Sequence, residues 1–550
     1  MVKLTPDLLG AVTKPARYTG SEWNVSQKDW GKVSCTVALS MPDVYEVGMS
    51  NLGLKILYEV LNRREDTAAE RVYVPWVDME AAMRERHLPL FSLETFTEIS
   101  RFDFLGFSLQ YEMVYTNVLN MLSLADIPLR AAVRGEDVPF VIGGGPCVYN
   151  VEPVADFFDL FLIGEAEEAL PELVTAFVVW KGEGRPGGRK GFLRRAAALD
   201  GFYVPSFYAP RYGADGSYEG LTVLEPAARP VVYKRVVQDF DAVEAMEKPV
   251  VPYIDIVHNR VMLELFRGCT RGCRFCQAGI AYRPVRERSP KRLRALARKL
   301  VDATGYDEMS LTSLSSADYF CLGGFVDDLM TDFAGEKVSF SLPSLRIDSF
   351  SIELAHKMQT VRKSGLTFAP EAGTQRLRDV INKGVTEENL LEAVGAAYRQ
   401  GWKQVKLYFM MGLPTERDED LDGIVELAQS VLRLARRKGR KRASVSASVA
   451  GFVPKGHTPF QWERQNTVEE FREKGRRLKG QVRDRAISLS YHEPEQSFLE
   501  GVLARGDRRV ADVIERAWRT GARFDGWSET FDLRRWLDAF EFHSLSPHEF

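Results

Sequence analysis

Apolar runs alternate with helical patterns over two long stretches of this 550-residue chain. In the first stretch the predicted strands are at 33–39, 71–76, 104–109, 138–142 and 160–163, and helical patterns at 53–62 and 114–124 lie between them. Strands that alternate with helices favour an open parallel sheet, and the ligands of such sheets sit beyond the carboxyl ends of the strands. Two of these strands end in small, turn-prone residues, at 143–145 and at Gly164.

A second alternation begins near residue 262. The predicted strands are 262–266, 308–311, 338–342, 366–369, 404–411 and 444–453, and the helices between and after them are 290–303, 318–333, 351–363, 373–381, 387–400 and 421–438. Six such units predict a partial (β/α)6 barrel with its chemistry at the carboxyl ends of the strands. After residue 460 the chain is charged and helix-rich, with one further strand predicted at 486–491.

These patterns predict an α/β protein of four segments. Residues 1–180 are predicted to form a Rossmann-like parallel sheet domain, and residues 181–250 a connector with β segments at 201–208 and 231–237. Residues 251–460 would form the partial barrel, and residues 461–550 a helical C-terminal extension.

Composition and charge fit a soluble globular protein. The chain is 45% hydrophobic and 27% charged, and its net charge of −3 gives no global basic field that would indicate nucleic-acid binding. The N-terminus lacks the apolar core of a signal peptide, and no apolar run approaches the ~20 residues of a spanning helix. We therefore predict a cytoplasmic protein that does not associate with membranes.

Half of the cysteines lie in one short motif. Cys269, Cys273 and Cys276 have the spacing C-x-x-x-C-x-x-C and follow the first predicted barrel strand, whereas the other three cysteines are isolated. This is not a disulfide framework. Three thiolates are one short of the four that close an iron–sulfur cluster or a structural zinc site. Zinc would need a fourth ligand, and the nearest candidates, His258 and Cys321, are not in a paired motif.

The stretch RGCTRGCRFCQAG resembles the cluster loop of radical S-adenosylmethionine (SAM) enzymes, in which an aromatic residue, here Phe275, precedes the last cysteine. The longer stretch HNRVMLELFRGCTRGCRFCQAGIAYRPVRERSP is similar to the cobalamin-binding group of that superfamily, in an uncharacterised branch. The resemblance covers roughly residues 20–540.

The resemblance implies the cofactors. Cys269, Cys273 and Cys276 would hold a [4Fe–4S] cluster whose open iron binds SAM. Reduction, by an electron donor such as flavodoxin or ferredoxin, would cleave SAM to a 5′-deoxyadenosyl radical or lead to methyl donation to cobalamin. The cofactors carry the reaction, and the protein positions and shields them.

Residues after the other barrel strands are the predicted SAM contacts. Ser315 and Ser316 follow the second strand, where many relatives have Gly-Gly-Glu, and the alternative is that they cap the next helix. Arg346, after the third strand, would pair with the SAM carboxylate or form a surface ion pair. Glu371, after the fourth strand, matches a family position that contacts SAM, and the alternative is a first-turn helix acid.

The last two barrel strands end in Gly412 and Val453, which would line the adenine or merely form turns. In the N-terminal domain the resemblance implies cobalamin binding, but the chain lacks the Asp-x-His-x-x-Gly motif, and His87 is the only histidine before residue 250. The predicted corrin contacts are Asn51, Ser108, Tyr111, Gly143, Gly144, Gly145 and Glu165.

The favoured prediction is a radical SAM enzyme that transfers a methyl group to an unactivated carbon. The alternatives are a cobalamin-assisted radical rearrangement or cyclisation, and a non-catalytic iron–sulfur redox sensor or RNA-binding protein. Basic clusters at 433–442, 472–485 and 505–509 would suit RNA, but few aromatic residues are interleaved with them. The substrate stays open between RNA, a peptide and a small metabolite. The absence of a second, N-terminal cysteine triad counts against methylthiolation.

Overall fold

The computed structural model describes residues 1–342, 347, 366–440 and 442–550. These residues form two compact units. Unit 1 contains residues 1–259, 302–304 and 502–550, and unit 2 contains residues 260–301 and 305–501. The division into four sequence segments stays a prediction.

The strands of unit 1 are β1 (Cys35–Met41), β2 (Thr67–Tyr73), β3 (Phe104–Ser108), β4 (Phe140–Gly144), β5 (Leu160–Leu162), β6 (Phe202–Tyr203), β7 (Tyr208–Tyr212) and β8 (Tyr218–Val223). The strands of unit 2 are β9 (Val261–Glu264), β10 (Phe266–Arg267), β11 (Arg286–Glu287), β12 (Glu308–Thr312), β13 (Ser339–Ser341), β14 (Leu366–Glu371), β15 (Gln404–Met411), β16 (Ser444–Gly451) and β17 (Ile487–Tyr491).

The helices up to residue 304 are α1 (Pro6–Gly10), α2 (Tyr45–Gly48), α3 (Leu52–Arg63), α4 (Val77–Glu85), α5 (Tyr115–Leu124), α6 (Ala169–Gly182), α7 (Gly188–Ala198), α8 (Ala278–Ala281) and α9 (Pro290–Thr304). Those that follow are α10 (Leu322–Asp332), α11 (Gln375–Val380), α12 (Glu387–Arg399), α13 (Asp418–Arg437), α14 (Val468–Gln481), α15 (Pro494–Arg505), α16 (Val510–Arg519) and α17 (Leu533–Phe542). In the described ranges no helix is both long and apolar enough to cross a bilayer.

Unit 1 is built on a six-stranded sheet of order β2-β1-β3-β4-β5-β6. Its first five strands are parallel, and β6 is antiparallel to β5. Every residue of β1 and β2 is buried, as expected where helices cover both faces of a parallel sheet. The strand order reverses between β1 and β3, because β2 lies on one side of this pair and β4 and β5 lie on the other. Such a switch point is where sheets of this kind bind ligands. The predicted parallel sheet is confirmed.

Two details of unit 1 differ from the prediction. Strand β2 runs from Thr67 to Tyr73 and not from residue 71 to residue 76, and it ends before Pro75 because Pro75 has no N–H to donate to a ladder. The residues predicted as connector strands divide differently: Phe202–Tyr203 extends the main sheet, and the separate β structure is the β7–β8 hairpin. Residues 231–237 form no strand and contribute only a bridge between Gly164 and Arg235.

Unit 2 contains two parallel sheets, of order β13-β12-β9 and β14-β15-β16-β17. The predicted strand at 486–491 is β17 and pairs with β16, so the described residues give these sheets seven parallel strands and not six. The predicted helix at 351–363 lies outside the described residues. The core of the second sheet includes Phe368, Leu407 and Phe409, each almost fully buried.

After residue 493 the chain forms the helices α15, α16 and α17, as expected of a helix-rich C-terminal part. Within unit 1, Asp525 accepts hydrogen bonds from the Thr116 hydroxyl of α5 at 2.5 Å and from the Trp536 indole of α17 at 3.0 Å. Burial raises the pKa of Asp525. Trp536 is only 1% exposed, so this terminal helix is part of the core of unit 1.

Candidate functional site

The three cysteines of the motif lie on one loop between β10 and α8, and each is partly exposed. The loop needs two glycines in the left-handed region, Gly268 (φ 96°) and Gly272 (φ 72°). A Cβ at Gly268 would lie 2.7 Å from the carbonyl oxygen of Pro284, so the backbone there leaves no room for a side chain.

The chain just after α11 holds this loop in place. The backbone N–H of Arg274 donates to the Ile381 carbonyl at 3.0 Å, and the Asn382 side-chain amide donates to the Gly272 carbonyl at 2.9 Å. The Arg274 guanidinium also donates to the Val380 carbonyl. The sequence gives no signal for these residues, since their partners lie more than 100 positions away along the chain.

The surroundings of Cys276 are mixed in charge. Its sulfur accepts a hydrogen bond from the Gly279 N–H at 3.3 Å. Burial raises the pKa of the Cys276 thiol, and the neighbouring Cys269 and Glu371 raise it further, whereas the Gly279 N–H and Lys383 oppose the rise. A metal that binds such a thiol deprotonates it.

Glu371 ends strand β14 beside this loop. Its φ of 66° is a left-handed conformation that costs a non-glycine residue roughly 1–3 kcal/mol, and the register of β14 shifts between Phe368 and Glu371. Its carboxylate pairs with the Lys383 ammonium at 3.0 Å, and both side chains are mostly buried. A strained carboxylate next to the cysteine loop is typical of a binding residue.

The donor set fits a cubane iron–sulfur cluster. Three thiols share one glycine-shaped loop, and a backbone N–H bonds to one of the sulfurs. Within the described ranges, no group of three or more His, Cys, Asp or Glu side chains is arranged to hold a metal ion. In a cubane each thiolate binds a different iron, so a cluster does not require the three sulfurs to share one ion.

The two predicted serine contacts are buried and bonded internally. The Ser316 hydroxyl donates to the Leu311 carbonyl at 2.9 Å, and the Ser315 hydroxyl donates to Asp318 at 2.6 Å. Asp318 also accepts from the Arg271 guanidinium of the cysteine loop at 2.9 Å. Neither serine caps α10, which begins at Leu322. Ser315 therefore belongs to a network that ties the second strand end to the cysteine loop.

The remaining barrel positions have local contacts. Gly412 (φ 82°) donates its N–H to the Glu416 carboxylate at 2.9 Å, and a Cβ there would lie 2.8 Å from the Phe471 ring. Val453 follows β16 and is partly exposed. Phe275 packs against an apolar cluster that includes Phe452. Arg346 lies outside the described residues.

In unit 1 the three glycines at the end of β4 have different surroundings. A Cβ at Gly143 would collide with the Phe161 ring, and a Cβ at Gly145 (φ 99°) would lie 2.7 Å from the Leu109 carbonyl. Gly144 has open space around it. The first and third glycines are therefore required by packing, and the second leaves backbone accessible at the sheet edge.

Two of the other predicted corrin contacts have a structural role. The Asn51 side chain accepts from the Leu54 N–H at 2.8 Å and so caps α3. The buried Glu165 carboxylate accepts from the Val237 N–H at 2.6 Å and thereby holds the chain that follows the hairpin.

The two others lie near the end of β3. The Ser108 hydroxyl accepts from the Gln110 side-chain amide at 2.7 Å. Tyr111 is partly exposed. Gly144, Ser108 and Tyr111 are the predicted residues that leave surface for a ligand at this edge of the sheet.

Two protein families match the chain. Residues 53–205 match the family described as radical SAM proteins, N-terminal, and residues 263–428 match the radical SAM superfamily. The second match contains all three cysteines and Glu371.

One curated relative and two solved structures are similar over most of the chain. The uncharacterized protein MJ0966 of Methanocaldococcus jannaschii is 27% identical over 93% of this chain and 97% of its own length. The cobalamin-dependent SAM radical enzyme OxsB, with aqua-cobalamin and SAM bound, is 13% identical, with a TM-score of 0.51 over 93% of this chain and 75% of OxsB. The radical SAM methyltransferase TsrM of Kitasatospora setae is 15% identical, with a TM-score of 0.49 over 80% of this chain and 78% of TsrM.

Proposed function

This chain belongs to the radical SAM superfamily through residues 263–428, and from that membership we propose that it is a cobalamin-dependent methyltransferase acting on an unactivated carbon. Membership implies that the enzyme uses a [4Fe–4S] cluster and SAM, as predicted, and that it needs an electron donor. We propose flavodoxin or ferredoxin for that donor. The observation that carries the proposal is the loop of three thiols that follows the first strands of unit 2.

The loop residues would hold the cluster through the thiolates of Cys269, Cys273 and Cys276. When bound, the cluster and SAM supply a reductive source of a radical or a methyl group, and cobalamin supplies a methyl carrier. Phe275 packs into the apolar cluster beside the loop and so fixes the backbone on which Cys276 stands.

Glu371 is proposed to bind the amino group of SAM. Its carboxylate lies close enough to Cys276 to raise the pKa of that thiol, which places it beside the cluster loop. Lys383 pairs with the same carboxylate at 3.0 Å and holds it in one orientation. We therefore propose Lys383 as a positioning residue for this contact.

Cobalamin is proposed to bind beyond the carboxyl ends of β1 and β3, the switch point of unit 1, next to which Gly144 at the end of β4 leaves backbone accessible. The fold likeness to OxsB, whose structure contains aqua-cobalamin, supports this choice. His87 is the only histidine in the first 250 residues, and it is exposed after α4. We therefore propose that residues 1–250 supply no imidazole ligand to the cobalt.

The test uses the full-length protein, purified and reconstituted without oxygen. With SAM, cobalamin and a strong reductant, the wild type should form 5′-deoxyadenosine together with S-adenosylhomocysteine. Cys273→Ala should lose the visible absorbance of the cluster and both products. Cys321→Ala, which changes a cysteine outside the motif, should retain them.

The products also separate the alternatives. Formation of 5′-deoxyadenosine without S-adenosylhomocysteine would replace methyl transfer by radical rearrangement or cyclisation. A fully loaded cluster that never turns over SAM would instead indicate a redox sensor or an RNA-binding protein. Loss of corrin absorbance from the protein fractions during purification would contradict the cobalamin assignment.

A further inference from the structure

Unit 1 contains a cavity of about 440 Å³ beside its edge strand β2. Helix α3 forms one wall, and the chain segments at 24–27 and 248–250 form the others. The volume lies within the roughly 300–1,000 Å³ of small-molecule sites. Apolar surface comes from Leu54, Tyr58 and Val250, all of which are buried.

Lys55 of α3 lines this cavity and is partly buried. Among the described residues its ammonium has neither a hydrogen-bond acceptor nor an ionic partner. Burial, followed by the charge of Arg71, lowers the pKa of Lys55 to about 8. A charge that is desolvated and left without a counter-ion is costly, and proteins retain such groups mainly at functional sites.

The two arginines in the lining of the cavity, Arg71 and Arg63, both have carboxylate partners. Arg71 pairs with Glu22 at 2.8 Å and with Glu94 at 2.6 Å, and all three side chains are almost fully buried. Arg63 pairs with Glu59 at 2.6 Å and with Glu244 at 3.1 Å.

The one carboxylate in the lining is also engaged. Glu59 is four residues after Lys55 on α3, yet it is bonded to Arg63 and accepts from the N–H groups of Glu247 and Lys248. The exposed Lys248 side chain adds a second positive charge to the lining. Among the described residues, Lys55 is therefore the buried cation of the lining that has no counter-ion.

We propose that this cavity binds a small molecule whose oxyanion head, a carboxylate or a phosphate, contacts Lys55 and whose apolar body lies against Leu54, Tyr58 and Val250. An oxyanion supplies the acceptors and the negative charge that Lys55 lacks. The site is formed by unit 1 alone and does not depend on the cluster or on the proposed reaction.

The test measures binding to the full-length protein by calorimetry, with hexanoate, hexyl phosphate and neutral 1-hexanol as probes. At least one of the two anions should bind more tightly than hexanol, and the tighter anion identifies the head group. Lys55→Met, which keeps an apolar stem but removes the charge, should weaken binding of that anion by about tenfold or more.

Two further variants control for the fold and for nonspecific charge. Lys55→Arg retains a cation and should keep a measurable preference for the anion, and Lys32→Met, at an exposed lysine of the same unit, should bind like the wild type. Equal binding of anions and hexanol would overturn the proposal. So would an unchanged affinity in a Lys55→Met variant whose circular dichroism matches that of the wild type.

Discussion

At the scale of single residues, Glu371 is the residue whose backbone strain points most directly to a functional role. It occupies a left-handed backbone conformation, and it is mostly buried with Lys383. Glu371→Gln keeps the size and the backbone but removes the charge. We expect SAM to bind about tenfold or more weakly, because a charged hydrogen bond contributes roughly 1.5–3 kcal/mol.

The measurement is equilibrium binding of SAM to the anaerobic, cluster-loaded protein. Glu388→Gln, at an exposed acid in the first turn of α12, is the matched control and should bind SAM normally. A Glu371→Gln variant with a full cluster and unaltered affinity for SAM would remove Glu371 from the site.

The cysteines are predictable from the sequence because their spacing is local. The residues that support the cysteine loop are not predictable in this way. Asn382 bonds to Gly272 from 110 positions away, and Lys383 meets Glu371 only because α11 folds back over the strand end. Such pairs carry no periodic signal, since each is a single polar contact set by tertiary structure.

At the scale of elements, the turn after α11 acts as a clamp on the cysteine loop. Asn382 has a φ of 54°, so Asn382→Gly preserves the backbone conformation and removes only the side-chain amide. We expect the free energy of unfolding to fall by about 1 kcal/mol and cluster retention to fall more clearly, because the loop loses one of its hydrogen bonds to the chain after α11.

The measurement is the visible absorbance of the cluster during challenge with an iron chelator. The absorbance of the variant should decay faster than that of the wild type. Lys337→Gly is the control, since it also replaces an exposed residue of positive φ but lies away from the loop along the chain. Equal bleaching of Asn382→Gly and wild type would show that the clamp is dispensable.

The elements themselves were largely predictable, and the misses have local causes. Periodicity gave β15 its observed bounds, because apolar side chains alternate along it. Helix α10 starts four residues later than predicted, at Leu322, because Ser316 and Asp318 bond to nearby groups and form a separate turn.

At the scale of the whole molecule, the chain order does not follow the compact units. Residues 502–550 belong with the N-terminal sheet, although all of unit 2 precedes them along the chain. The amphipathic pattern of α17 predicts a buried face, but nothing in that pattern says which sheet or helix will cover it. Long-range assignment of this kind depends on contacts such as the hydrogen bond from Thr116 to Asp525, which lie 409 positions apart.

Trp536→Ala tests whether this terminal helix stabilises unit 1. Removal of a fully buried indole should cost about 3–5 kcal/mol and leave Asp525 without the Trp536 donor. Because multi-domain chains need not unfold in a single step, we expect the loss in one calorimetric transition of the cluster-free protein. Trp462→Ala, at a tryptophan that is 89% exposed, is the control.

Cobalamin binding should weaken in Trp536→Ala while cluster absorbance is retained, since the cysteines lie in unit 2. Equal destabilisation of every transition, with loss of the cluster, would contradict the assignment of α17 to unit 1.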